Sequence, residues 1–502
     1  MEELIRKTIK AEAKNRLWKH FEKVRTVQYY RKKFASRTGQ PADIPKPKLP
    51  KQWSFHKHFD PAYCTKHSRF IAKGLWSALQ NGTYQPAPSF RVSIPKPSGG
   101  FRDLDVFSIP DAAVAKIFHE NLRERNAKIF SDSSFAYQIG KTPLDAIVKL
   151  KSILQYDTIF ISKYDFSQYF DSISHDYIDT LLEKTGPFLT TKMERQIIKA
   201  VIEHRYETET EKGVRKKGVP QGHSLSLFIA NAAAHPLDIQ LSTLNGTFAR
   251  FADDSVVVNT SYEDALKTAE AYHQFSRSSG VAINEAKSSG IRMLAGSFKE
   301  MEMRQLSHFD FLSYKFSREG LYLSDRAIAA IKRRCSRIIY NQLLLHLRRT
   351  EKINPARIGE GFRDWDLVSC VNELRSYIYG GISQESIDSY LAGLLKFKNI
   401  SGPTSYYCLV EDSQQFRALD GWLLDCVQRA YKQRLGLVSA LLNQTIEMPT
   451  AQQFLSGDWY QFSTAVETQL PSFFTSWRAG RKSWTHHGLG GIDPQGIGQA
   501  HS

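Results

Sequence analysis

The chain has 502 residues, 41% of them hydrophobic and 12% aromatic, with 68 Lys+Arg against 51 Asp+Glu, a formal balance of +17. That length calls for two or three domains or subdomains, the apolar content excludes disorder for the bulk, and the charge excess argues for an anionic partner. No run approaches the roughly 18 to 20 apolar residues of a membrane span, and the basic start lacks a secretory signal's apolar run. Five scattered cysteines (Cys64, Cys335, Cys370, Cys408, Cys426) with no CxxC fit reduced thiols, so a cytoplasmic protein without a membrane partner is expected.

The charge is concentrated. Residues 1–51 hold 15 Lys+Arg and 5 Asp+Glu, residues 326–357 hold 9 and 1, and the remainder is close to neutral. Either run alone reads equally as a solvated helix face; two in one chain point to phosphate binding.

In chain order, residues 2–34 set Ile5, Ile9, Leu17, Phe21 and Val24 at near-helical spacing among Lys and Arg, which predicts a basic amphipathic helix. Pro41, Pro45, Pro47 and Pro50 then make a stiff linker. Phe90 to Ile94 and Phe101 to Val106 read as a hairpin around Lys96-Pro97-Ser98-Gly99-Gly100, and residues 111–128 as a helix. Thr158 to Tyr164 is an apolar strand ending at Asp165. A helix is expected over Leu225 to Leu241, after Pro220-Gln221-Gly222. Phe248 to Phe251 and Ser255 to Asn259 form a second hairpin with Ala252-Asp253-Asp254 at its tip. Residues 326–349 read as one basic helix with Ile328, Ile331, Ile338 and Leu345 inside, residues 360–480 look helical and aromatic-rich, and Gly488 to Ser502 is expected to fray.

The acids carry the chemistry. Asp165 closes an apolar strand, and Asp253-Asp254 lie between Phe251 and Val256, so they stand beside hydrophobic sheet, where carboxylates repel unless cations intervene. Two divalent ions about 3.5 to 4 Å apart would relieve that repulsion and clamp the attacking and leaving oxygens of a phosphoryl transfer. Mg²⁺ suits such oxygen ligands. An Asp-Asp pair in a turn is, alone, ordinary turn chemistry.

Its company decides. The ordered set Ile94-Pro95-Lys96 with Gly100-Phe101-Arg102, Tyr164-Asp165-Phe166 with Phe170, Pro220-Gln221-Gly222, Phe251-Ala252-Asp253-Asp254, Asn284 with Lys287, and Phe311-Leu312-Ser313-Tyr314 resembles bacterial reverse transcriptases of the group II intron and retron lineage over residues 90–325. The resemblance implies an α+β right-hand polymerase: a basic helix and linker at 1–60, fingers and palm at 61–325, a thumb-like region at 326–400, a helical C-terminal region at 401–487 and a flexible tail at 488–502. It implies RNA-directed DNA synthesis with two Mg²⁺ ions, dNTPs, an RNA template and a DNA product. Asp165 and Asp253 would be the principal ligands, with Asp254 beside them and the Phe166 carbonyl as a further oxygen. Lys96 and Arg102 would grip the incoming triphosphate, Gln221 would line the nucleotide pocket, and Lys287 would stand near the pyrophosphate. Phe170 would press against the sugar 2′ position and exclude ribonucleotides; the lesser, competing reading is an ordinary core residue beside Tyr169 and Ile173. Asp171 reads as structural. Arg326, Lys332, Arg333, Arg334 and Arg337 would contact the duplex backbone. The N-terminal helix would hold a structured noncoding RNA or pack on another subunit in a homo-oligomer.

Paired endonuclease cysteines and a late Val-Thr-Gly triplet are absent, and the chain looks most like stand-alone, defence-associated reverse transcriptases. A template-independent or protein-primed DNA polymerase, and an RNA-binding scaffold on a retired polymerase fold, are the competing functions. His56, His58, Cys64 and His67 match no zinc spacing, and Trp477 and Trp484 with Arg478, Arg481 and Lys482 read as packing at least as well as base stacking.

Overall fold

The computed structural model describes residues 1–96, 99–156, 158–295, 303–359, 364–396, 400–443, 446–460 and 467–492. The chain divides into two compact units: residues 1–25 with 46–306, and residues 26–45 with 307–502.

The first unit is built on two sheets. Strands β1 (Ser89–Pro95) and β2 (Phe101–Val106) form the expected hairpin, and β4 (Arg205–Glu207) with β5 (Lys212–Val214) extends it in the order β2-β1-β4-β5. The larger sheet runs β6-β7-β3-β8-β9, from β3 (Ile159–Lys163), β6 (Gly246–Phe251), β7 (Asp254–Asn259), β8 (Gly290–Leu294) and β9 (Gln305–Leu306). β3 is the centre strand and four of its five residues are buried, which its Ile-Phe-Ile-Ser run permits. One helix, Ile109–Arg125, lies on the core side; Ser108 caps it by accepting the Asp111 N–H. The expected helix over 225–241 is two, Ser224–Ala233 and His235–Ser242. Pro236 has no N–H to continue the ladder, so the chain restarts at His235.

The N-terminal helix runs Glu2–Thr38, four residues beyond its expected end. Ile5, Ile9 and Ala13 are fully buried in the first unit, but Phe21 is 57% exposed rather than on the buried face, as is Trp18 at 58%. The segment 26–45 belongs to the second unit, so the expected 1–60 element does not stand as one piece. Arg37 explains why: its buried guanidinium pairs with Asp366 (3.1 Å) and donates to the Asn341 carbonyl (2.8 Å) and to the Gln342 side chain.

The second unit holds the three-stranded meander β10 (His308–Phe311), β11 (Tyr314–Ser317) and β12 (Gly320–Leu323), then helices Asp325–Leu343, Trp365–Tyr379, Gln414–Leu442 and Phe473–His487. The expected breaks at 325, 400 and 487 are not seams. The meander hydrogen-bonds onward through Glu411 N–H to Leu321 O (3.0 Å), Ser476 Oγ donates to Ile378 O (2.9 Å), and Ile400 N–H donates to Gly491 O (2.9 Å). The basic helix stops at Leu343, and a separate turn of helix covers Leu345–Thr350. Gly488–Gly491 form a 3₁₀ turn with Ile492 buried, so the tail is packed that far; residues 493–502 lie outside the described residues.

Candidate active site and nucleic-acid surface

Asp165 follows the end of β3. Ser162 pairs with Val257, and continuing that register brings Asp165 level with Asp254 at the start of β7. The turn before β8 pins the strand end. The Asp165 N–H donates to Ser288 Oγ (3.0 Å), its carbonyl accepts the Asn284 N–H (2.7 Å), and Asn284 Nδ2 reaches Asp165 Oδ2 at 3.4 Å.

The other acids stand on the β6–β7 tip, where Phe251 pairs with Asp254 and Ala252-Asp253 make the turn. Ala252 is left-handed (φ 59°), which costs a non-glycine residue about 1 to 2 kcal/mol. Arg250 holds the turn. This fully buried side chain donates to both Asp238 oxygens (2.7 and 2.5 Å), to Asn231 Oδ1 (2.8 Å), to Ser134 Oγ (2.8 Å) and to the Ala252 carbonyl (2.9 Å). Burial raises the Asp253 carboxyl above the usual carboxylate range; the negative charges of Asp254 and Asp165 add to this, while its own backbone N–H and the Arg102 guanidinium oppose it. Asp165 and Asp253 therefore stand at the same edge of the sheet, where β3 ends and the antiparallel β7 begins, and their charges act on each other.

The remaining expected residues stand on the β1–β2 hairpin, after β3, and in the loops before helix Ser224–Ala233 and strand β8. Arg102 is exposed on β2, paired with Ile94, and acts electrostatically on Asp253. Lys96 is half-buried at the hairpin bend, its N–H donating to Gly100 O (2.9 Å) across glycines with positive φ. Phe170 is half-buried, its ring edge-on to Tyr169 at 5.7 Å. Gln221 Nε2 donates to Asp171 Oδ2 (2.7 Å). Lys287 is exposed in the turn that begins at Asn284. The Phe166 ring is buried against Tyr169, Tyr272 and Phe275, which leaves only its backbone to serve a ligand. Asp254 pairs with Lys163 (3.4 Å). Among the described residues no group of three or more His, Cys, Asp or Glu side chains is gathered to hold a metal ion. The donor set nonetheless suits a hard divalent cation, because it consists of part-exposed carboxylates whose mutual repulsion a cation would cancel.

The family description "Reverse transcriptase (RNA-dependent DNA polymerase)" matches residues 94–316, a span that includes Lys96, Arg102, all three acids, Phe170, Gln221 and Lys287. Residues 94–316 are a reverse transcriptase domain. The chain is 28% identical over 174 residues to a 91 kDa protein in the cob intron of Schizosaccharomyces pombe, covering 34% of this chain and 21% of that one. It is 28% identical over 165 residues to the COX1/OXI3 intron 2 protein of Saccharomyces cerevisiae, covering 32% and 18%. The matched stretch thus spans about a fifth of these curated relatives. A solved telomerase from Candida albicans aligns with 76% of this chain and 68% of its own at 11% identity, with a TM-score of 0.40.

Beyond the acids, the five basic residues expected to contact the duplex lie on helix Asp325–Leu343. Ala327, Ile331, Cys335, Ile338 and Leu343 are buried, while Arg326, Arg333, Arg334 and Arg337 are exposed. Lys332 is half-buried, with its ammonium 5.4 Å from the Trp422 ring centroid. Arg333, Arg334 and Arg337 line a cavity of about 520 Å³ with Glu373, Tyr377 and Tyr407.

The discounted signals have structural uses. Cys64 is buried, and burial pushes its thiol up to about 12; His56 Nδ1 accepts the His58 N–H (3.3 Å). Trp477 stacks on Phe416 at 5.2 Å and donates to Val410 O (3.2 Å), so it is core. Arg250, Asp238, Asn231, Ser134 and Ser288 escaped the sequence reading. An arginine inside the apolar run Phe248 to Phe251 was the available signal, since a buried guanidinium needs acceptors.

Proposed function

We propose that this chain is an RNA-directed DNA polymerase that adds deoxynucleotides to a primer by a two-Mg²⁺ mechanism. The observation that carries this reading is the placement of Asp165, just past the end of β3, beside the Asp253-Asp254 turn that opens the neighbouring strand β7, inside the stretch that matches the reverse transcriptase family. Two Mg²⁺ ions held by Asp165, Asp253 and the Phe166 carbonyl, with Asp254 beside them, would supply Lewis-acid stabilisation of the attacking and leaving oxygens. The chain's own residues do the rest. Lys96 and Arg102 neutralise the triphosphate from the hairpin above the acids, and Lys287 is the proton donor for the departing pyrophosphate. The Phe170 ring fills the space a 2′-hydroxyl needs, and Gln221 faces the nucleotide. The arginines of helix Asp325–Leu343 hold the product duplex through its phosphates.

On sequence resemblance, we also propose that the protein works with a bound noncoding RNA in bacterial antiphage defence. The test is to purify it from its host, sequence the RNA that accompanies it, and sequence DNA made when dNTPs and Mg²⁺ are added. Complementary DNA to that RNA is the expected result; no DNA product would overturn the polymerase reading. Phage protection that survives replacement of Asp253 and Asp254 by Ala would favour a scaffold.

A further inference from the structure

Gln221, Asp171, Arg215 and Asp105 close a ring of hydrogen bonds. Gln221 Nε2 donates to Asp171 Oδ2 (2.7 Å), and Asp171 Oδ1 accepts from Arg215 Nη1 (3.3 Å). Arg215 Nη2 donates in turn to Asp105 Oδ2 (2.9 Å), and the Asp105 N–H donates to the Gln221 carbonyl (3.1 Å). Gln221 is therefore gripped at both its side chain and its backbone, and one guanidinium links the two grips.

The ring is built rather than incidental. Arg215 and Asp105 are buried, and Arg91 braces Asp105 with two further hydrogen bonds (2.9 and 3.1 Å). The opposite wall is fixed too: the Val219 N–H donates to the Phe170 carbonyl (2.6 Å) and the Gly218 N–H to the Ile173 carbonyl (2.7 Å). Gly218 has φ +74°, and a Cβ there would come within 2.5 Å of the Asp171 backbone, so the close approach requires glycine. A free carboxamide rotates about its side-chain torsions; one held by a charge-assisted acceptor presents a single face.

We propose that Asp171, Arg215 and Asp105 are positioning residues that fix the Gln221 carboxamide for the incoming nucleotide, acting through Gln221 alone. This rests on the polymerase reading above. Asp171 directly follows Phe170, so the same ring ties the base-facing residue to the sugar-facing one.

The test is a double-mutant cycle in the full-length protein, read as dNTP KM and kcat on a primed RNA template. Asp171→Asn keeps the shape and removes the charge that anchors Gln221. KM is expected to rise about tenfold with kcat little changed, Gln221→Ala to do the same, and the double variant to match Gln221→Ala. Equal losses from Asp171→Asn with and without Gln221, or an unchanged KM, overturn the proposal. Should thermal melting show that Asp171→Asn does not fold, Gln221→Glu takes its place. It sets a carboxylate against Asp171 and should raise KM likewise; an unchanged KM there overturns the proposal. An inactive wild-type protein would instead contradict the polymerase reading.

Discussion

At the scale of single residues, we propose that Phe170 carries the choice between sugars. Its ring is half-buried and backed by Tyr169, so it has little room to retreat. Phe170→Ala should raise ribonucleotide incorporation relative to deoxynucleotide by about 10 to 200-fold, the range a steric contact supplies. Paired incorporation assays check this, and an unchanged ratio would return Phe170 to the core. His223 makes a second, independent prediction. It is buried beneath the Gln221 loop with both ring nitrogens lacking a hydrogen-bond partner, and burial lowers it to about 3. The unfolded imidazole takes its proton near pH 6.5, so the unfolded state binds more protons as pH falls below that value. Stability from this site is therefore complete above about pH 6.5 and declines down to about 3. At pH 5 the loss is on the order of 2 kcal/mol. Denaturant melts of His223→Met should show a shallower decline between pH 7 and 5.

At the scale of elements, the β6–β7 tip depends on residues far from it in sequence. Asp238 and Asn231 come from two helices and Ser134 from a loop, and all three meet on Arg250. Arg250→Met leaves Asp238 buried and unpaired, which should cost about 3 to 5 kcal/mol in melts and abolish extension. Retained activity would show that the turn holds itself. The strands that flank the acids were legible in sequence because alternation, glycines and acids are local signals. The Arg250 hub was not, because its acceptors lie in three separated segments. The apolar run Leu225 to Leu241 likewise masked the restart at Pro236, although the missing N–H of proline was there to be read. Asp165 and the Asp253-Asp254 tip were recognisable as residues, but their place at the same edge of the sheet required the β3–β7 register.

At the scale of the whole molecule, composition indicated the amount of positive charge but not how the chain partitions. Residues 26–45 carry net positive charge as residues 1–25 do, yet contacts such as the buried pairing of Arg37 with Asp366 and the Lys33–Glu373 ion pair (3.2 Å) join them to the second unit. The excess charge of that unit should act on phosphates irrespective of base sequence. Replacing Arg333, Arg334 and Arg337 with Ala should weaken duplex binding equally across sequences and reduce the slope of log K against log salt by about 3, as filter-binding titrations would show. The most direct test of the account is single-turnover extension of a DNA primer on an RNA template with dNTPs and Mg²⁺, comparing wild type with Asp165→Asn and Asp253→Asn. The account predicts rapid extension by the wild type and a loss of about 1,000-fold or more in each variant; extension at the wild-type rate by either one would contradict it.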